Sequence, residues 1–414
     1  MNHFLSVRRI ASLTLATFVL LGTVVPLSVL GQSGRQQPAT GDKKKNKRPD
    51  TPPGDQQDPP PVDVVNRPQD SEVVTIASNL VDVDAVVYNK KTKAIVTGLK
   101  KENFRVYEDG QEMEITNFST PDAPITVAVV VEYSKLGEMI GYYGSGGMDD
   151  GKLETVRPVA QFLTQFVRPT DYVSVIAFDI RPTPLTDFTN DPARLNAVIS
   201  LLLRNNPAFK ETNLFDALKF TLMGGKGDSV VLEHSEKETS EYAGLASVTG
   251  RRTAVLLVAS GLDTFSKINL GEVRKVIQNA GVPIYIIGTG NMFLKKYDAQ
   301  MSAQDGVEGA TAPGRMSFLQ AASNLTTFSK ESGGAFYPVT FPGEIGADLQ
   351  AINILLRNQY SLGYRPIEKP GDKQRKIVVK VDVDGDGVTD DKEFVIQHRQ
   401  FYNPKKATPP ATTK

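Results

Sequence analysis

The sequence predicts an α/β fold: a Rossmann-like doubly wound, mostly parallel sheet with small β-rich modules flanking it. Three segments set far apart predict it. Ile125 to Ser134 is an apolar strand ending in a carboxylate and a hydroxyl, Thr212 to Leu218 opens a helix, and Thr253 to Asp263 is a second apolar strand running into a polar turn. A parallel sheet brings all three to one edge, the carboxyl ends of its strands, where open α/β folds bind ligands.

The elements follow in order. Val81, Val83, Ala85 and Val87 alternate with Asp82, Asp84, Val86 and Tyr88, the period of a strand. Asn89 to Lys93 is a polar turn. Phe104 to Tyr107, Asp109-Gly110 and Met113 to Phe118 form a hairpin pattern, with Asp-Gly supplying the positive φ of a tight turn. Ile125 to Tyr133 is nearly all apolar, as a central strand covered on both faces should be. Leu153 to Val167 has helical spacing, and Asp171 to Phe178 is a strand. Asp191 introduces a helix with Pro192 in its first turn, and Leu195, Val198, Ile199 and Leu202 form its buried stripe. Thr212 caps the next helix, which runs to about Met223. Ala254 to Val258 and Val282 to Ile287 are buried strands with a helix from Leu270 between them. A helix from Phe318 to Ser332 ends at Gly333-Gly334, Ala335 to Val339 closes the sheet, and Glu344 to Tyr360 is the last helix. Strand patterns return at Tyr360 to Arg365, Ile377 to Val383 and Phe394 to Phe401. Two polar inserts, 224–252 and 290–316, lack clear periodicity; long loops of this kind are functional or disordered.

The expected division is a signal peptide at 1–31, a disordered linker at 32–71 and a β-rich module at 72–120. The α/β core follows at 121–345, then a C-terminal helix and β-hairpin with an Asp-rich loop at 346–403, and a disordered tail at 404–414. Arg8 and Arg9 before an apolar run, with Val29 and Gly31 at −3 and −1, give the leading segment the form of a secretory signal. The alternative is an uncleaved anchor, since Ile10 to Leu30 is long enough to span a bilayer. Export to the periplasm, cell surface or medium is expected in either case. The chain has no cysteine, so disulfides and lipidation after the signal are excluded. A formal net charge of zero gives no reason to expect nucleic acid. The one basic cluster, Lys43 to Arg48, lies among Gln, Pro, Gly and Asp and suits a solvated tether.

The three segments resemble the site loops of a von Willebrand factor type A (VWA) domain. With the V-D-V…E-N-F-R-V-Y-E-D-G stretch before them and R-N-Q-Y-S-L-G-Y-R-P and R-K-I-V-V-K-V after them, the chain is similar to the secreted bacterial VWFA-related domain proteins over about residues 75–402. The resemblance implies a metal-ion-dependent adhesion site (MIDAS) holding Mg²⁺ through Asp-x-Ser-x-Ser, a Thr and an Asp. Here the first motif is Glu132-Tyr133-Ser134-Lys135-Leu136, Thr212 matches the threonine, and Ser260-Gly261 replaces Asp-Gly, with Asp263 beyond the matching position. One carboxylate and neutral hydroxyls hold magnesium weakly, and Lys135 adds an adverse charge. Two readings stand: a modified metal site on Glu132, Ser134, Thr212 and Ser260, or a vestigial site whose side chains satisfy turns and caps. The second is favoured.

A calcium loop is expected at Asp382 to Glu393. Asp382, Asp384 and Asp386 take positions 1, 3 and 5, Gly387 position 6, the Val388 carbonyl position 7, Asp390 position 9 and Glu393 position 12. Its flanks look like strands. A solvated, metal-free hairpin tip is the alternative.

Catalysis has little to draw on. Beyond His3 there are only His234 and His398, and no nucleophile elbow, P-loop or zinc cluster is present. The chain is expected to bind a protein or surface polymer through the carboxyl edge of its sheet, touching a membrane only if the leading segment stays uncleaved. The alternative is a structural envelope protein in which calcium rigidifies the C-terminal hairpin; a hydrolase using acidic residues alone is the remaining option.

Overall fold

The computed structural model describes residues 80–121, 123–140, 152–228, 239–248, 251–299, 301, 313–367 and 373–404. The expected signal, linker and tail, His234 and the middle of both inserts lie outside them. In chain order the first strands are β1 (Val81–Asn89), β2 (Phe104–Glu108), β3 (Gln111–Met113) and β4 (Ile115–Ser119). The core begins with β5 (Ile125–Glu132), α1 (Lys135–Ile140), α2 (Lys152–Gln161), β6 (Tyr172–Phe178), β7 (Pro182–Thr189), α3 (Pro192–Arg204) and α4 (Leu214–Met223). It continues with β8 (Gly225–Asp228), β9 (Thr239–Tyr242), β10 (Arg252–Ala259), α5 (Leu270–Ala280), β11 (Ile284–Gly288) and α6 (Gly290–Tyr297). It ends with α7 (Arg315–Ser332), β12 (Phe336–Pro338) and α8 (Ile345–Arg357). Last come β13 (Tyr360–Tyr364), β14 (Arg375–Val381), β15 (Phe394–His398) and β16 (Phe401–Tyr402).

The central sheet has six strands in the order β12-β11-β10-β5-β6-β7. All neighbours are parallel except β7, which runs antiparallel to β6. Every residue of β5 is buried, as its uninterrupted apolar run requires of a strand covered on both faces. Val127, Val129 and Val131 face one core with α2, α3 and α8; Ala128 and Val130 face the other with α4 and α5. Winding reverses between β5 and β10, which makes their carboxyl ends the topological switch point. The register Val131↔Val258 sets Glu132 beside the end of β10.

Several expectations need correction. β7 carries Pro182 and Pro184 and has no apolar alternation; it is an edge strand, where a missing amide donor is tolerated. The 224–252 insert holds the β8–β9 hairpin. Tyr242 at its end is 2% exposed, hydrogen-bonds Ser174 Oγ at 2.9 Å and stacks on Phe188 and Phe220. The 290–316 insert begins with α6. The stretch read as one helix over 153–167 changes after Gln161 to a π-helical turn, Phe162–Phe166. The hairpin at Asp109-Gly110 forms with φ values of +49° and +86°. Its return strand stops at Met113, however, and β4 joins a different sheet. Segments 72–120 and 346–403, expected as separate modules, interleave: one sheet is β15-β1-β13-β4 and another β16-β14-β2-β3. A core of fifteen buried residues, including Val83, Val106, Tyr360 and Val379, lies between them.

This β unit joins the core at the amino ends of the central strands. Arg252, 5% exposed at the start of β10, donates from Nη1 to Gln359 O at 3.0 Å and from Nη2 to Pro121 O at 2.6 Å. Nearby, Arg357 at the end of α8 grips Asp171 with two hydrogen bonds of 3.0 and 2.5 Å. Asp171 also accepts from the amides of Ile125 and Arg168. The carboxyl edge is at the opposite end.

Burial pushes the Asp171 carboxyl up, but the Arg357 guanidinium and the two amides outweigh it and hold it below its ordinary range. Asp171→Asn is expected to cost about 3–5 kcal/mol at pH 7 in urea denaturation, because it strands a nearly buried guanidinium. A depressed folded-state pKa gives stability that is complete above the unfolded value of ~3.9 and is lost as pH falls through the folded value. Wild type and variant should therefore converge in acid.

Candidate functional site

At the switch point β5 delivers Glu132 and, one turn on, Ser134; β10 delivers Ser260. All three are buried, at 3%, 1% and 2% exposure. The Glu132 carboxylate holds them together. Oε1 accepts from Ser134 Oγ at 3.0 Å, and Oε2 accepts from the backbone amide of Ser260 at 2.7 Å and from Ser260 Oγ at 2.8 Å. Burial pushes its pKa above the ordinary carboxylate range, and these hydrogen bonds oppose the rise without cancelling it.

Thr212, also buried, joins through the third loop. Its hydroxyl donates to Leu262 O at 2.8 Å, and Leu262 N donates to Ser260 Oγ at 3.2 Å. Its carbonyl accepts from Thr264 N and Phe265 N at 2.8 and 2.9 Å. Thr212 is not the cap of α4. Asn213 holds the N-cap position, but its side chain donates to Ile180 O at 3.0 Å and does not cap the helix; Asp263 reaches the amide of Phe215 at 3.2 Å instead. Burial raises the pKa of Asp263. The Asp216 carboxylate turns back to the amides of Lys267 and Ile268. Sequence reasoning missed both ties, which cross about fifty residues of chain.

The structure thus brings Glu132, Ser134, Thr212 and Ser260 into one bonded network, but the donor set does not fit Mg²⁺. Leu136, where a second serine would stand, is 6% exposed and packs in the core. The one central carboxylate is engaged by groups of the chain itself, and Thr212 directs its proton to a carbonyl. Octahedral Mg²⁺ needs oxygen lone pairs and compensating negative charge, and one carboxylate supplies too little.

The Asp-rich loop joins β14 to β15. Carboxylate oxygens of Asp382, Asp384 and Asp390 lie within 4.8 Å of one another. Asp386 and Glu393 are outside that group. Strands set this arrangement where helices would set the usual calcium loop. The Asp386 side chain accepts from Val388 N at 2.7 Å, and Val388 is 65% exposed. Asp390 accepts from Val383 N at 2.7 Å. Gly387, with φ +90°, turns the chain so that its amide and that of Gly385 donate to Asp382 at 2.8 and 2.7 Å. Burial works to raise the Asp382 pKa; these amides overcome it and hold it low.

His398 lies in the β unit. Its Nε2 accepts from Val379 N at 3.3 Å, which leaves Nδ1 to donate to Arg399 O at 2.6 Å. Burial lowers its pKa.

No protein-family model matches the chain, and no curated protein matches it. Solved structures do. An aerotolerance-related membrane protein from Bacteroides fragilis NCTC 9343 is 13% identical with a TM-score of 0.35, over 56% of this chain and 98% of that one. The vWF domain of the type V pili tip protein Mfa5 from Porphyromonas gingivalis is 14% identical with a TM-score of 0.35, over 57% and 95%. Proximal thread matrix protein 1 from the mussel byssus, with a zinc-occupied MIDAS motif, is 11% identical with a TM-score of 0.35, over 61% of this chain and 50% of that one. Likeness of this size transfers no ligand or partner.

Glu132→Ala should cost about 2–4 kcal/mol at pH 7, measured by urea denaturation, because it leaves the Ser260 amide and two hydroxyls without an acceptor. Glu132→Gln should cost less than half as much, since the amide oxygen still accepts from Ser260. On strand order and on the meeting of its three loops, the core of this chain is a doubly wound, mostly parallel α/β sheet, similar in layout to von Willebrand factor type A domains.

Proposed function

We propose that the chain is a non-enzymatic, exported binding protein that attaches to a protein or surface polymer through the carboxyl edge of its central sheet, without metal at the switch point. The observation that carries this is the Glu132 network, which fixes three loops at the ligand-facing edge through hydrogen bonds of the chain itself. Among the described residues the β unit lies at the other end, and its strands leave the carboxyl edge free. Among the described residues no helix is long and apolar enough to cross a membrane. The test is retention of purified protein on envelope preparations of the producing cell. Phe265→Ser, on an exposed loop residue, should reduce retention at least ten-fold with an unchanged melting midpoint, and EDTA should leave wild-type retention unchanged. Retention that survives the substitution, or that EDTA abolishes, contradicts the reading.

The convergence of Asp382, Asp384 and Asp390 favours a second, structural element: calcium stiffening the β14–β15 loop. Closely set carboxylates repel until a cation joins them, and a partly exposed oxygen cage of this kind suits a weak extracellular site with Kd on the order of 10⁻⁴–10⁻³ M. Calcium at ~10 mM should then stabilise the protein by about 1.4–2.7 kcal/mol. Asp384→Ala should remove that gain in calorimetry and lower the calcium content of the purified protein. An unchanged content removes the site.

A further inference from the structure

The rim has a composition that its internal bonding does not use. Among the described residues ten large apolar side chains are exposed, and six of them lie where chain leaves or enters the carboxyl edge: Leu203, Phe209, Phe265, Met316, Leu319 and Phe341. Phe209 and Phe265 belong to the loops already tied to the switch point. The Phe209 carbonyl accepts from Lys135 N at 2.7 Å, and the Phe265 amide donates to Thr212 O at 2.9 Å. They are 42% and 54% exposed. Side chains this large on loops fixed by backbone bonds are ready-made anchors: little order is lost when a partner covers them.

Charge on the same loops is sorted by direction. Asp216 and Asp263 are half-buried, with oxygens on the amides of Lys267, Ile268 and Phe215. Lys135, Arg204, Lys210 and Lys267 are exposed, and among the described residues none of the four ends in an ion pair. The exposed acid beside them, Glu211, accepts from the amide of Lys210 at 3.1 Å. Asp216 and Asp263 are drawn inward, and apart from Glu211 the exposed charges named on these loops are cations, around two exposed phenylalanines.

We propose that this rim binds an acidic peptide segment carrying bulky apolar side chains, which seat on Phe209 and Phe265 while its carboxylates meet Lys135, Lys210 and Lys267. The proposal rests on the carboxyl-edge reading and names the partner's chemistry. Lysine ammonium groups attract carboxylates directly, and their contribution should weaken with salt. The aromatic contacts should persist.

The probe is a glutamate–tyrosine copolymer, compared with polyglutamate and with heparin, on the full chain in a fluorescence-anisotropy assay. The copolymer should bind at least ten-fold tighter than polyglutamate of equal length, with affinity falling between 50 and 300 mM salt, on the order of ten-fold. Phe209→Ser with Phe265→Ser should weaken copolymer binding at least ten-fold and leave its salt dependence. Lys135→Glu with Lys210→Glu and Lys267→Glu should weaken it as much and remove that dependence. All five positions are exposed, so melting midpoints should not move; Lys267→Glu alone serves if the triple variant does not fold. Equal binding of polyglutamate or heparin overturns the proposal in favour of a simple polyanion site, and so does copolymer binding indifferent to both sets of substitutions. If the copolymer fails to bind while Phe265→Ser still abolishes retention on envelope preparations, this inference falls and the carboxyl-edge reading stands. If both are unaffected, both fall.

Discussion

The structure depends on one carboxylate shared between two crossovers. Glu132 ends β5, Ser260 follows β10, and the sheet reverses its winding between those strands. Any open doubly wound sheet leaves a crevice at this point. Here a side chain of the protein closes it. Glutamate has the reach that the shorter acid lacks: from the end of β5 it accepts both the amide and the hydroxyl of Ser260 across the gap, while its other oxygen takes Ser134. A buried carboxylate without a cationic partner is costly, and three donors are what make it tolerable. The loops it fixes then hold Thr212, Thr264 and Phe265 in place through the backbone.

The two ends of the central sheet are consequently different in kind. At the amino end Arg252 ties the α/β core to Pro121 and Gln359, where chain leaves and re-enters the β unit, and the Arg357–Asp171 pair braces the core beside it with charge-assisted bonds. At the carboxyl end polar bonding is turned inward and large apolar groups are left outside. A protein that anchors one end and holds the loops of the other rigid has the layout of a presenting scaffold, in which recognition lies in loops and stiffness in the sheet.

Much of the α/β core was legible in the sequence because burial on both faces writes an unbroken apolar run, as in Ile125 to Glu132 and Ala254 to Val258. Asp191 before Pro192 marked its helix start, and the Asp191 side chain does accept from Ala193 N. The meeting of Glu132, Ser134, Thr212 and Ser260 was legible through the fold, because strand ends are where topology gathers residues. What stayed hidden has physical causes. β7 is an edge strand whose prolines break every strand signal. Tyr242 anchors its hairpin by stacking on residues distant in sequence, which no local period reveals. Asp216 and Asp263 bond to amides of other loops, and a capping pattern looks only three residues ahead. The interleaving of first and last strands is invisible to periodicity, since alternation states which face is buried and not which strand is the neighbour.

That interleaving has a consequence for how the molecule is made. β1 has no sheet partner before Tyr360, and its second neighbour, β15, begins at Phe394. The bond from Arg399 Nη2 to Asp82 O spans 317 residues. A polypeptide emerging amino end first, from a ribosome or through a translocation pore, must carry β1 as an open edge until residues 360–398 have passed. Such an edge invites pairing with other nascent chains, and non-local closure of this kind is slow. Assembly is therefore governed by the last strands to appear, and a chaperone that shields the first forty residues of β sequence would speed maturation more than one acting on the α/β core.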